Sequence, residues 1–291
     1  MTPMTYRGRF APSPTGQLHF GSLVAAVGSW LCARHAGGQW LLRMEDIDPP
    51  RERAGSAASI LAALPAFGLV ADGPTLFQSQ RIGAYEAAFE QLRATDQVFP
   101  CWCSRNDLAV SNDIHRDGRC VAAASGDRPP AWRLRVPNVE VTFDDALQGP
   151  QRQNLHESAG DFVIRRVEGF YSYQLACVVD DAFQGVTQVV RGNDLLDSTA
   201  RQIWLQRCLD LPTPGYLHLP LALDADGTKL SKSGEAHPVD PLDPLPALRR
   251  ALAFLHLPPP AAATDVHDLL TQALANFTPA LLPHCSGHSV A

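Results

Sequence analysis

The hydrophobic pattern opens with a strand-like run over residues 6–11 that ends in the turn-rich stretch Ala11-Pro12-Ser13-Pro14-Thr15-Gly16. From Phe20 to His35 the apolar and small residues suit a helix, and Gln39 to Met44 reads as a second strand. Glu45-Asp46-Ile47-Asp48 follows at the carboxyl end of that strand. Arg51 to Phe67 and Gly83 to Ala94 both predict helices. A strand–helix–strand opening of this kind predicts a βαβ unit and a parallel sheet, with ligands gathering beyond the strand carboxyl ends.

The rhythm changes in the middle of the chain. Residues 101–130 are rich in Cys, Asp, Asn, Gly and Arg and read as an inserted loop structure. Trp132 to Val136 and Asp161 to Val167 predict strands. The β/α pattern then resumes with a helix from about Tyr173, a strand at Thr187 to Arg191, a helix at Leu195 to Leu209 and a strand near Leu217 to Leu223. The Pro- and Ala-rich tail from Asp240 carries helical patterns near Leu245 to Leu255 and Val266 to Ala275.

Composition adds limits. Hydrophobic residues make up 45% and charged residues 19% of the 291-residue chain, a globular balance that argues against extensive disorder. No apolar run approaches a membrane span, and the first residues lack an apolar signal core, so a cytoplasmic enzyme is expected. The formal charge of -6 gives no global basic signature for nucleic acid, although local patches escape such an average. Of 24 basic side chains only Lys229 and Lys232 are lysines, and both lie in Lys229-Leu230-Ser231-Lys232-Ser233. Compact, flexible ammonium groups are thus kept where the rest of the chain uses Arg. Seven cysteines, an odd number with four scattered through apolar segments, argue against a disulfide framework.

Two segments carry candidate chemistry. The stiff Pro-Ser-Pro-Thr-Gly turn delivers His19 and Gly21 to the start of a helix, where free N–H groups and the helix dipole favour phosphate. Gly21 would let an adenine ring lie against the backbone, and His19 would donate to a phosphate oxygen. Far downstream, Lys229 and Lys232 on a Gly- and Ser-containing loop suit a departing pyrophosphate.

Taken together, R-F-A-P-S-P-T-G-x-L-H-F-G-S followed by K-L-S-K-S resembles the class I aminoacyl-tRNA synthetases, and within them the glutamyl branch. R-M-E-D-I-D-P-P-R-E and Y-S-Y-Q-L-A-C-V-V-D-D…V-V-R-G-N-D-L resemble that branch too, so the likeness runs from residue 6 to about 233. Ser22 stands where the general signature has a second His; glutamyl relatives commonly have a small residue there. The resemblance implies an α/β fold: a Rossmann-like class I synthetase catalytic domain with an inserted zinc-knuckle or acceptor-type subdomain and a short helical C-terminal stem. The corresponding boundaries are 1–97 and 161–239 for the two catalytic halves, 98–160 for the insertion and 240–291 for the stem. It further implies that Arg9, Phe10, Ala11, Pro12 and Ser13 line a glutamate site with Glu45, Tyr173 and Arg191. Glu45 would face the ammonium group and Arg191 the γ-carboxylate, as suits an acidic side chain and a guanidinium fork. His19, Gly21 and Lys232, with Lys229, would serve ATP and its Mg²⁺.

Cys101, Cys103 and Cys120 supply three thiols, and structural zinc wants four ligands. His115 is the expected fourth. The truncated relatives that this chain resembles carry a Tyr four residues before the last Cys; here that place is Arg116, and His115 lies one residue off. A metal-free knuckle is the alternative. Only 58 residues follow Ser233, room for a helical stem but not for a separate anticodon-binding domain. The resemblance therefore points to the paralogues that place glutamate on the queuosine base of tRNA(Asp), and a monomer is expected. The rivals are a minimal glutamyl-tRNA synthetase, a nucleotidyltransferase of the same superfamily, and a non-catalytic RNA-binding zinc protein.

Overall fold

The computed structural model describes residues 5–109, 112–122, 124, 126–223, 238–259, 261–284 and 288–289. Strand β1 (Arg7–Phe10) passes through the Pro-rich turn into helix α1 (Phe20–His35), and β2 (Gln39–Met44) returns parallel to β1, with Phe10 opposite Leu42. The helix expected from Arg51 starts only at Ser56, giving α2 (Ser56–Ala66). Pro49 and Pro50 hold the preceding residues in one 3₁₀ turn, and Gly55 at φ +81° reverses the chain before the helix begins. A two-residue strand, β3 (Leu76–Phe77), then extends the parallel sheet beside β2, and α3 (Ile82–Ala94) follows.

The middle of the chain holds more strand than its composition predicts. After β4 (Val98–Cys101) and the single-turn α4 (Arg105–Leu108) comes β5 (Ala131–Leu134). A hairpin of β6 (Glu140–Asp145) and β7 (Gly149–Asn154) leads through α5 (Leu155–Ser158) to β8 (Val163–Arg165). Strands β4, β5 and β8 form an antiparallel sheet in that order.

The α/β pattern resumes with α6 (Tyr173–Phe183), β9 (Gln188–Gly192), α7 (Leu196–Cys208) and β10 (Gly215–Leu219). The strand expected over Leu217 to Leu223 is broken at Pro220, and β11 (Ala222–Leu223) stands apart. Two helices follow, α8 (Pro244–Phe254) and α9 (Val266–Ala275), and then β12 (His288–Ser289), which pairs in parallel with β11. Strand order in the second sheet is β7-β6-β10-β9. The Thr187 N–H donates to the Arg7 carbonyl at 3.0 Å, so the start of β9 is stitched to β1 and the parallel sheet meets the parallel edge of the mixed one.

Two cores support this layer. In the first, Leu23, Val27 and Leu31 of α1 pack with Trp40 and Leu42, and the tail helices add Leu248, Leu252, Leu269 and Leu270. Leu248 and Leu252 are fully buried and each contributes roughly 1.5–3 kcal/mol, which fastens the tail to the helix that heads the site. In the second, Tyr85 and Phe89 of α3 and Leu175 and Val178 of α6 share a core with Leu134, Val141 and Leu155 from the insertion.

Candidate active site

The carboxyl ends of β1, β2 and β9 bring the expected glutamate-contacting residues to one edge of the parallel layer. The turn after β1 is laced to the segment after β2: Glu45 N–H donates to the Pro12 carbonyl at 3.0 Å, and Arg53 N–H to the Pro14 carbonyl at 2.9 Å. Ser13 is exposed and Ala11 half-buried. The Phe10 ring lies in the core, stacked on Trp40 with centroids 6.2 Å apart, so only its backbone is available to a ligand.

Beneath the turn lies a buried charge network. Asp181 Oδ1 accepts from Arg9 Nε at 3.0 Å and from Arg43 Nη1 at 2.8 Å, while Arg43 Nη2 lies 3.5 Å from Glu45 Oε1. Burial would raise the Asp181 carboxyl, but Arg43 and Arg9 outweigh it and hold the group well below the usual carboxylate range. Glu45 shows the opposite balance: burial lifts its pKa despite the pull of Arg43, Arg9 and Arg191. Burial also pushes the Cys177 thiol up to about 12, so it stays protonated and donates to Asp181 Oδ2 at 3.5 Å. The pattern predicted neither Arg43 nor Asp181 as a site residue.

Tyr173 opens α6 and Arg191 sits on β9, and the structure joins them: Arg191 Nη1 donates to the Tyr173 hydroxyl at 3.2 Å. Every N–H of this guanidinium has a partner. Nη1 also reaches Gln202 Oε1 at 2.8 Å, and Nη2 reaches Thr199 Oγ1 at 2.9 Å and the Leu195 carbonyl at 3.3 Å. Nε donates to His218 Nε2 at 3.0 Å. The contacts to Tyr173 and Leu195 are the longest of the oxygen contacts and the ones a bound carboxylate would most readily replace.

His19 is the N-cap of α1: its Nδ1 accepts from Ser22 N–H at 3.2 Å, and its Nε2 lies 2.9 Å from Ser22 Oγ. Acceptance at Nδ1 puts the ring proton on Nε2. A Cβ on residue 21 would approach the ring to 3.3 Å at Cε1, which gives the H-x-G spacing a steric reason. Pro238 bridges His19, and Val239 N–H donates to the Leu18 carbonyl at 2.9 Å. Lys229 and Lys232 lie outside the described residues.

The cysteine cluster forms a separate site. Ligand atoms of Cys101, Cys103 and His115 lie within 4.8 Å of one another, and Cys120 Sγ is 3.8 Å from Cys103 Sγ. Asp161 Oδ2 lies 2.8 Å from His115 Nδ1, and His115 Nε2, buried, has no hydrogen-bond partner among the described residues. A carboxylate behind one imidazole nitrogen and a vacant lone pair on the other suit a metal ligand. The adjoining Arg116 turns elsewhere, donating to the His156 and Glu157 carbonyls. Gly160 permits this docking, because a Cβ there would fall 2.0 Å from the His115 carbonyl.

A parallel layer with its polar cluster at the strand carboxyl ends, and an N-capped helix beside that cluster, is the arrangement of a class I synthetase catalytic fold. The chain belongs to the class I tRNA synthetases (E and Q): the catalytic-domain model of that family matches residues 5–243. Over 286 residues it is 55% identical to the glutamyl-Q tRNA(Asp) synthetase of Xanthomonas campestris pv. campestris strain 8004, covering 97% of this chain and 95% of that protein. The glutamyl-Q tRNA(Asp) synthetase of Burkholderia cenocepacia strain J2315 is 54% identical over 263 residues, covering 87% of this chain and 88% of that one. In fold, the chain matches the glutamate-tRNA synthetase of Elizabethkingia anophelis with a TM-score of 0.77 at 24% identity, over 99% of this chain and 68% of the other. Among the described residues no helix is long and apolar enough to cross a membrane.

Proposed function

We propose that the chain activates L-glutamate with ATP and transfers it to queuosine in the anticodon of tRNA(Asp). The observation that carries the amino-acid assignment is the convergence of Arg9, Glu45, Tyr173 and Arg191: Arg191 meets the Tyr173 hydroxyl at 3.2 Å, and Arg9 and Glu45 are joined through Asp181 and Arg43. A buried acid and two buried guanidinium groups in one site suit an ammonium and two carboxylates. The names of the relatives support the acceptor.

In the first step a glutamate α-carboxylate oxygen attacks the α-phosphorus of ATP, and the bond to the pyrophosphate oxygen breaks. His19 and the α1 N-terminus would contact phosphate, and Lys229 and Lys232 would stabilise the charge on the leaving group. Mg²⁺ bound with ATP would neutralise further phosphate charge. In the second step a hydroxyl of the queuosine cyclopentenediol attacks the mixed-anhydride carbonyl, the bond from that carbonyl to the phosphate oxygen breaks, and AMP leaves with its phosphate taking up the hydroxyl proton. Positioning and electrostatics suffice without a dedicated base.

Zinc is the metal that suits the second cluster: Cys101, Cys103 and His115 Nε2 would hold it, with Cys120, 3.8 Å from Cys103, as the fourth ligand in a structural role. Glutamate-dependent exchange of pyrophosphate into ATP tests the activation step. Exchange in the parent and its loss in Lys232→Ala support the reading; no exchange in the parent favours an RNA-binding protein without catalysis.

A further inference from the structure

At the carboxyl edge of the second sheet, three adjacent strands present one row of polar side chains. Asp145 ends β6, His218 lies on β10, and Arg191 on β9 stands in direct parallel register with His218. All three are buried. His218 Nδ1 is 2.5 Å from Asp145 Oδ2, and Arg191 Nε is 3.0 Å from His218 Nε2. Arginine only donates, so His218 Nε2 accepts and the ring proton belongs on Nδ1, where Asp145 takes it.

We propose that Asp145 and His218 are positioning residues that fix the guanidinium of Arg191, and through it the preference for an amino acid with a side-chain carboxylate. This rests on the reading of Arg191 as the γ-carboxylate contact. The relay takes Arg191 Nε, whereas Tyr173 takes Nη1, so the group is held at Nε while Nη1 keeps a contact that a carboxylate can replace. Thr199 reinforces it, with Oγ1 2.9 Å from Arg191 Nη2 and 3.2 Å from His218 Nε2. The groups packed about the imidazole are Asp145, Arg191, Thr199 and the stacked ring of Tyr216. Burial and the Arg191 charge lower the pKa of His218 against the pull of Asp145, in keeping with a neutral ring that accepts from Arg191.

The hydrogen bonds make a sharp test available. Asp145 Oδ1 takes three backbone N–H groups: Leu147 at 3.0 Å, Gln148 at 2.8 Å and His218 at 3.2 Å. In Asp145→Asn the amide oxygen must stay there, which turns the amide nitrogen toward His218 Nδ1. The imidazole proton would move to Nε2, opposing the Arg191 N–H donor to donor. A near-isosteric change would thus leave the fold in place and invert the tautomer, as in the serine-protease triad when its Asp becomes Asn.

The experiment is glutamate-dependent pyrophosphate exchange by the full chain, with KM measured separately for glutamate and ATP and thermal melting in parallel. Asp145→Asn and His218→Phe should raise the glutamate KM about tenfold or more with ATP KM nearly unchanged, and His218→Gln, which restores an acceptor, should recover most of the loss. An unchanged glutamate KM in Asp145→Asn, or equal losses for both substrates without recovery in His218→Gln, would overturn the relay. No exchange in the parent would instead remove the glutamate reading, and the relay's purpose with it, before any variant is made.

Discussion

Arg43 and Asp181 meet at 2.8 Å between β2 and α6, and neither is more than 5% exposed. The pair anchors Glu45 on one side and Arg9 on the other, so the charges expected to meet glutamate are held from below. Removing the anion leaves two buried guanidinium groups without their shared partner. Asp181→Asn is expected to cost about 3–5 kcal/mol of stability, measured by denaturant unfolding. A loss below 1 kcal/mol would show the network to be dispensable.

The same carboxyl sets an acid limit. Its folded pKa is depressed, so its stabilisation is fully present above the unfolded value of about 4 and is lost as pH falls toward the folded one. Thermal melting from pH 5 downward should show a falling midpoint in the parent and a shallower fall in Asp181→Asn.

Glu45 is the group proposed to meet the substrate ammonium. Its raised pKa means that the carboxylate needed by a substrate ammonium disappears early on acidification, so glutamate KM should rise as pH falls through that value. Glu45→Gln should raise glutamate KM roughly 10- to 100-fold and flatten its acid limb. An acid limb identical in parent and variant assigns the titration elsewhere.

Much of this site was legible because its pieces are contiguous. A Pro-rich turn before His19 and Gly21, an acid just past a strand and a Tyr at a helix start each declare themselves within a few residues. The supporting groups do not. Asp181 pairs with Arg43 across 138 positions, and Asp145 meets His218 across 73, so no local pattern could join them. Likewise β3 has two residues, and the β6–β7 hairpin carries Asp, Gln and Arg at positions where alternation of apolar residues would have marked a strand. His115 was legible by residue type beside the cysteines; Asp161, which orients it, was not.

The cysteine cluster gives an independent check. Freshly purified protein should contain about one zinc per chain, and Cys103→Ser should lose it. Gly160→Ala should lower zinc content as well, since its Cβ would collide with the His115 carbonyl and the residue sits at φ +58°. Full zinc content in Cys103→Ser would exclude this cluster as the site.

At the proposed nucleotide end, Gly21→Ala should raise ATP KM about three- to tenfold with little change in glutamate KM, because its Cβ would press on the His19 ring. Equal effects on both substrates would point to a general loss of fold.

The most direct measurement is transfer of labelled glutamate, activated by ATP on the enzyme, to tRNA(Asp) that carries or lacks queuosine. Label should appear only on the queuosine-containing tRNA and survive removal of the 3′ terminal nucleotide. Labelling that ignores queuosine, or that leaves with the terminal nucleotide, would contradict the acceptor proposed here.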